Sequence, residues 1–120
     1  MFSKFFPKEA QKIGESELFH SKSRVISYGP GVMLREEIFP AGTLLPRHEH
    51  YHEQISYIAY GKIKCTLADG SEMILSEGEA AYFGPNEPHT LEMLEDTSVI
   101  DAFTPIRIDH LEGAVFYGKK

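Results

Sequence analysis

Pro46-Arg47-His48-Glu49-His50-Tyr51-His52-Glu53-Gln54 carries three of the six histidines of this chain. Imidazole is the commonest metal-binding side chain, and it binds through a neutral ring nitrogen. On an extended segment, residues two apart point to the same side. His48 and His50 are therefore expected to project together, close enough to grip one ion. Taken alone, the stretch also reads as a run of surface histidines, or as a cluster capping a helix. A second stretch, Pro85-Asn86-Glu87-Pro88-His89, sets a further histidine at a turn, at the mouth of another strand. Two half-sites on separate strands make a stronger signal than either half.

The chain around these half-sites reads as strands. Residues 55–60 are strongly β-forming and stop at Gly61. Ile63, Cys65 and Leu67 then face one way, and Lys62, Lys64 and Thr66 the other, which makes Cys65 a small buried residue. Ala68-Asp69-Gly70-Ser71 is a tight hairpin by its Asp-Gly pair. Residues 73–75, 80–83, 89–94 and 98–103 continue the series. Upstream, residues 24–28 end at Gly29-Pro30-Gly31. Residues 32–39 alternate loosely, with Val32, Leu34 and Glu36 against Met33, Arg35 and Glu37, and stop at Pro40-Ala41-Gly42. Ile58, Tyr60, Met73, Tyr82 and Phe83 are expected in the core. Many short strands at close spacing predict an all-β sandwich or barrel.

At 120 residues, with 42% hydrophobic and 25% charged residues, the chain is sized and composed for one globular domain. The formal net charge of -6, with no basic patch interleaved with aromatics, argues against nucleic acid as a partner. An acidic ligand would need a local Arg or metal. A single cysteine excludes an intramolecular disulfide framework and fits a reducing compartment. No apolar run approaches membrane-spanning length, and the first residues are too broken for a secretory signal. A soluble cytoplasmic protein with no membrane contact is expected. Residues 8–17 read as a short helical turn or irregular chain. Phe2, Phe5 and Phe6 form an apolar cluster that either covers one end of the core or is exchanged with a second subunit. The expected division is a 1–22 arm, possible at a dimer interface, a 23–111 barrel, and a 112–120 tail or last strand.

The spacing of residues now resembles a family. Gly42, five residues, His48-Glu49-His50, three residues, Gln54, six residues and Gly61 resemble the first motif of the cupin superfamily. Gly78-Glu79, five residues and Pro85-Asn86-Glu87-Pro88-His89 resemble the second. The likeness spans roughly residues 28–111. It departs from the family pattern at Gln54, where a glutamate ligand is usual, at Gly84 and Asn86, and at Met93. The resemblance implies a single small cupin, an RmlC-like jelly-roll β-barrel. It also implies that His48, His50, Gln54 and His89 bind one divalent metal. Three imidazoles and an amide oxygen suit Zn, Ni, Fe, Co or Mn, and leave positions open to water or substrate. Gln54 removes one negative charge from the usual set, which weakens binding or shifts metal choice. His52 is expected behind the ligands or at the rim, not as a ligand, and Glu53 outside. His20 and His110 are read as surface residues.

Asp101-Ala102-Phe103-Thr104-Pro105-Ile106-Arg107, together with residues 50–57, is similar to the KdgF-type cupins of pectin and alginate breakdown. These convert 4,5-unsaturated uronate monosaccharides to the linear 4-deoxy-5-keto sugar. The resemblance implies that Asp101 transfers a proton, Arg107 holds the substrate carboxylate and Phe103 lines the pocket. It implies a small acidic sugar as substrate and a homodimer as assembly. Asp101 and Arg107 also read, as the lesser alternative, as a structural pair closing the barrel. Two other functions fit the same residues: a non-catalytic sugar-binding or sensing cupin, and an Fe-dependent dioxygenase.

Overall fold

The computed structural model describes residues 3–108. Among these residues a 3-10 turn at Lys8–Ala10 is followed by ten strands: β1 (Lys12–Ser16), β2 (Ser21–Tyr28), β3 (Met33–Phe39), β4 (Leu44–His48), β5 (Glu53–Tyr60), β6 (Lys62–Thr66), β7 (Glu72–Ser76), β8 (Ala80–Phe83), β9 (His89–Met93) and β10 (Thr97–Thr104). They form a six-stranded sheet, β1-β2-β3-β10-β5-β8, and a four-stranded sheet, β4-β9-β6-β7. Every strand pair is antiparallel. β10 crosses back to lie between β3 and β5, and β9 to lie between β4 and β6. These crossovers wrap the two sheets into the expected jelly roll.

Period-two alternation decides which side chains enter. In β5, Gln54, Ser56 and Ile58 are buried between exposed neighbours. In β10, Val99, Asp101 and Phe103 point in. One apolar cluster joins Phe19, Phe39, Leu45, Ile58, Ile63, Cys65, Phe83, Leu91, Met93 and Val99 between the sheets. A smaller one joins Val25, Met33 and Phe103. Each fully buried Ile, Leu, Phe or Met contributes about 1.5–3 kcal/mol. A polar layer of Arg35, Glu37, Gln54, Ser56 and Asp101 lies among them, each 3% exposed or less.

The structure differs from the sequence reading in three places, and in a fourth it settles a face that the alternation left open. β1 pairs with β2, so the six-stranded sheet already begins at Lys12, within the segment expected as an arm. Its one large apolar residue, Ile13, is 68% exposed, which is why no strand pattern shows there. Tyr60, Tyr82 and Met73 lie outside the core. A register shift between Ser98 and Val99 turns Tyr60 outward, Tyr82 alternates with the buried Phe83, and Met73 is on the sheet-edge strand β7. Leu67, beyond the end of β6, is exposed instead of continuing the inward line of Ile63 and Cys65. Arg35 and Glu37 face inward with Met33 and Phe39, while Leu34 and Ile38 face out. The expected 112–120 tail lies outside the described residues, as does His110.

Gly61 sets the turn between β5 and β6 with φ +97°, and a Cβ there would come within 2.4 Å of Thr97 Oγ1 and 2.5 Å of the Asp96 carbonyl. Gly70, in the β6–β7 hairpin, has φ +87° but open space around it. Gly61→Ala is expected to destabilise by at least about 3 kcal/mol, from left-handed strain plus overpacking. Gly70→Ala costs about 1 kcal/mol, from strain alone. Urea unfolding of the two variants checks this; equal losses would contradict the account.

Candidate metal centre

His48 ends β4 and His89 starts β9, and the two are direct cross-strand partners. Their ring centroids are 4.3 Å apart. His50 sits in the loop after β4, and its carbonyl accepts a 2.7 Å hydrogen bond from the Asn86 amide. That bond ties the two half-sites read from the sequence to one another. Phe83 stacks on the His89 ring at 4.0 Å and holds its plane. One ligand atom from each of His48, His50 and His89 lies within 4.8 Å of the other two.

The outer nitrogens of the three rings are all engaged by backbone. His48 Nδ1 is 2.7 Å from the Pro46 carbonyl, His89 Nδ1 is 3.0 Å from that of Glu87, and His50 Nδ1 is 3.1 Å from that of His52. A carbonyl only accepts, so each Nδ1–H donates and each neutral ring keeps its lone pair on Nε2. His89 Nε2 is buried with no hydrogen-bond partner. His50 Nε2 faces Gln54 Oε1 at 2.9 Å, so two electron-pair donors look at one another. An orphaned imidazole nitrogen and two facing donors fit a cation, and the three rings with Gln54 would supply three nitrogens and an oxygen. Burial first, then electrostatic interaction with the neighbouring His48, pushes the His89 pKa down to about 4, so this ring is neutral at neutral pH.

Gln54 faces the opposite way with its amide nitrogen. Nε2 donates to Ser56 Oγ at 2.9 Å and to Asp101 Oδ1 at 3.2 Å. Ser56 Oγ also donates to Asp101 Oδ1, at 2.5 Å. Asp101 thus sits directly behind the amide that faces the rings. Arg35 is its cross-strand partner on β3. Arg35 Nη1 pairs with Glu37 Oε1 at 2.7 Å, and Ser21 Oγ donates to Glu37 Oε2 at 2.5 Å. Glu37 already balances the guanidinium, which leaves the charge of Asp101 as the surplus in this layer. Burial accordingly raises the Asp101 pKa to about 6, against the lowering effects of Ser56, Arg35 and Gln54 and with a further push from Glu37.

Phe103 is fully buried, with its ring 6.2 Å from that of His50 and 6.5 Å from that of His52. The Arg107 guanidinium lies 5.3 Å over Phe103 and is buried. His52 stands outside the ring trio, its buried ring tilted against that of Tyr51 at 4.1 Å, and supplies its carbonyl to His50. Glu53 points outward, where Tyr82 donates to it at 2.7 Å. Sequence reasoning missed Ser21, Arg35, Glu37 and Ser56. The available signal was in β3, where two charged residues share the phase of Met33 and Phe39.

Residues 35–102 match the cupin domain family. The chain is 35% identical over 92 residues to the pectin degradation protein KdgF of Dickeya dadantii, covering 75% of this chain and 83% of that protein. The solved structure of KdgF from a Halomonas species superposes with a TM-score of 0.80 at 28% identity, over 89% of this chain and 99% of that one. An RmlC-like cupin from Shewanella frigidimarina also superposes at 0.80, with 24% identity, over 90% and 96% of the two chains, and shows the shared fold.

The surplus charge leads to a stability test on metal-free protein. An Asp with a raised folded-state pKa stabilises below about 4, and that contribution is lost as pH rises through about 6. Asp101→Asn should therefore raise the unfolding free energy at pH 7 by about 1–3 kcal/mol. The gain should shrink through pH 6 and vanish near pH 4. Urea unfolding at pH 7, 5 and 4 measures it; equal stability of the two proteins at pH 7 would refute the buried surplus.

Proposed function

This chain belongs to the cupin domain family, and on that premise we propose that it is a metal-binding enzyme of sugar-acid breakdown, opening 4,5-unsaturated uronates to the linear 4-deoxy-5-keto form. The observation that carries the reading is the convergence of three ring nitrogens and the Gln54 oxygen, backed by a buried carboxyl, in a chain 35% identical to a pectin degradation protein. His48, His50, His89 and Gln54 would hold the ion. When bound, a divalent ion would orient sugar oxygens and stabilise developing negative charge.

The reaction is an isomerisation. The anomeric hydroxyl loses its proton as the C1 aldehyde forms and the bond from C1 to the ring oxygen breaks. The ring oxygen becomes the C5 ketone once the alkene carbon C4 takes up a proton. Net, one proton moves from O1 to C4, with no oxidant or reductant. Asp101 is the proposed carrier, since a carboxyl titrating near 6 can both take and give a proton near neutral pH. Arg107 is proposed to hold the substrate carboxylate, for which a guanidinium is the matched fork. Phe103 would form the apolar wall beneath it.

One observation favours a second reading. Asp101 is 3% exposed and already engaged by Ser56 and Gln54, as a purely structural carboxyl would be. The chain would then bind an acidic sugar without turning it over. Loss of the alkene ultraviolet absorbance of 4,5-unsaturated galacturonate separates the two. Turnover should require metal and fall about 100-fold or more in Asp101→Ala. Arg107→Ala should chiefly raise KM. Measured sugar binding without turnover by metal-loaded protein would select the binding role.

The proposed assembly is a homodimer. Leu34, Ala102, Ile55 and Tyr82 are successive neighbours across four strands on the outer face of the large sheet. With Tyr57 they leave an apolar patch in which Ile55 is 49% and Tyr82 57% exposed. Glu36 beside it is paired with Arg24 at 2.7 Å and Glu53 accepts from Tyr82 at 2.7 Å, so a second copy packed across a two-fold axis would meet carboxylates that already have partners. The 1–22 segment, with Phe5 94% exposed, is proposed to join that contact. Among the described residues no helix is long and apolar enough to cross a membrane. A cytoplasmic location is proposed from the one cysteine, whose thiol pKa burial raises. Sedimentation should show a dimer that Ile55→Lys with Tyr57→Glu converts to monomer. A monomeric wild type would refute it.

A further inference from the structure

Position 54 is where the chain departs from the first cupin motif, with glutamine in place of the usual glutamate. An amide has two different ends, and only its oxygen can bind a cation. A carboxylate has two equivalent oxygens and binds through either. A glutamine ligand therefore needs something to hold it the right way round, which a glutamate does not.

The barrel interior supplies that holder. Gln54 Nε2 donates to Asp101 Oδ1 at 3.2 Å and Ser56 Oγ at 2.9 Å, which turns Oε1 toward His50 Nε2 at 2.9 Å. With the amide reversed, its oxygen would face the Asp101 oxygen and its N–H groups would face the rings. Gln54, Ser56 and Asp101 are 2%, 0% and 3% exposed, so such a mismatch would not be relieved by solvent. A glutamate at 54 would place a second carboxylate against Asp101. Asp101 in turn is set on β10 opposite Arg35, which the Glu37–Ser21 contacts hold.

Resting on the metal-binding reading above, we propose that Asp101, apart from the proton transfer proposed for it, positions the metal centre: it fixes the Gln54 amide with its oxygen toward the three rings, and residues 54 and 101 form a matched pair. Glutamine at 54 is then the consequence of an aspartate at 101. Removing Asp101 harms a glutamine ligand and spares a glutamate one.

Zinc titration calorimetry on four proteins tests this: wild type, Asp101→Val, Gln54→Glu and the double variant, each confirmed folded by its melting curve. In the Gln54 background, Asp101→Val should weaken zinc binding about 10- to 100-fold, the usual loss for an outer partner of a ligand. In the Gln54→Glu background the same change should leave the affinity unchanged or tighten it, by removing the facing carboxylate. Equal losses in the two backgrounds would overturn the proposal, because a general effect of charge or folding has no reason to depend on residue 54. Should Asp101→Val not fold, Ser56→Ala takes its place, with a smaller loss confined to the Gln54 background; equal losses again overturn it. A wild type that binds no zinc removes the metal centre itself and this pairing with it, a failure visible before any variant is compared.

Discussion

A carboxylate buried between two strands of a small barrel must be answered by donors, and the interior of this protein is arranged around that demand. Asp101 takes hydrogen bonds from Ser56 and Gln54 on β5, and faces Arg35 across the ladder on β3. β10 lies between those two strands, so the crossover that closes the jelly roll is also what assembles the polar layer. Apolar clusters lie on either side and supply the burial that favours folding. The polar layer opposes it unless every group has a partner. Arg35, Glu37 and Ser21 match one another, which leaves Asp101 as the group held at a cost.

The ring cluster obeys a related rule. Each imidazole is fastened by its own neighbourhood: a carbonyl two residues away for Nδ1, Phe83 stacked against His89, and the Asn86–His50 bond joining the two loops. None of these contacts needs an ion to form. The donors are aimed beforehand, so little side-chain freedom remains to be lost on binding. Gln54 joins the rings to the polar layer, with its oxygen on one side and its nitrogen on the other. The rings and the buried charge of the core therefore meet through a single amide.

Much of this was legible in the sequence. The β-rich runs, the Asp-Gly hairpin and the paired histidine stretches pointed to an all-β jelly roll, and the structure has that fold. Asp101 and Phe103 were placed on one strand face, and both are buried there. Arg35 and Glu37 were not recognised, because charged residues within a strand normally mark its wet side, and only a partner on another strand reverses that. Tyr60 shows the complementary limit. Its phase agrees with Ile58, but a bulge leaves Ala59 of β5 unpaired opposite the Ser98–Val99 step of β10 and turns Tyr60 out, which alternation alone does not show. β1 was missed because an edge strand needs little apolar content to pair. Alternation reports faces well, then, where a strand is regular and its polar residues are solvated. It fails where a bulge or a buried ion pair intervenes.

The central claim is that His48, His50, His89 and Gln54 form one metal centre, and X-ray absorption on zinc-loaded protein tests it most directly. The account predicts a first shell of nitrogen and oxygen only, with multiple scattering from three imidazoles, reduced to two in His89→Ala. A shell containing sulfur from Cys65, or an imidazole count unchanged by His89→Ala, would contradict it.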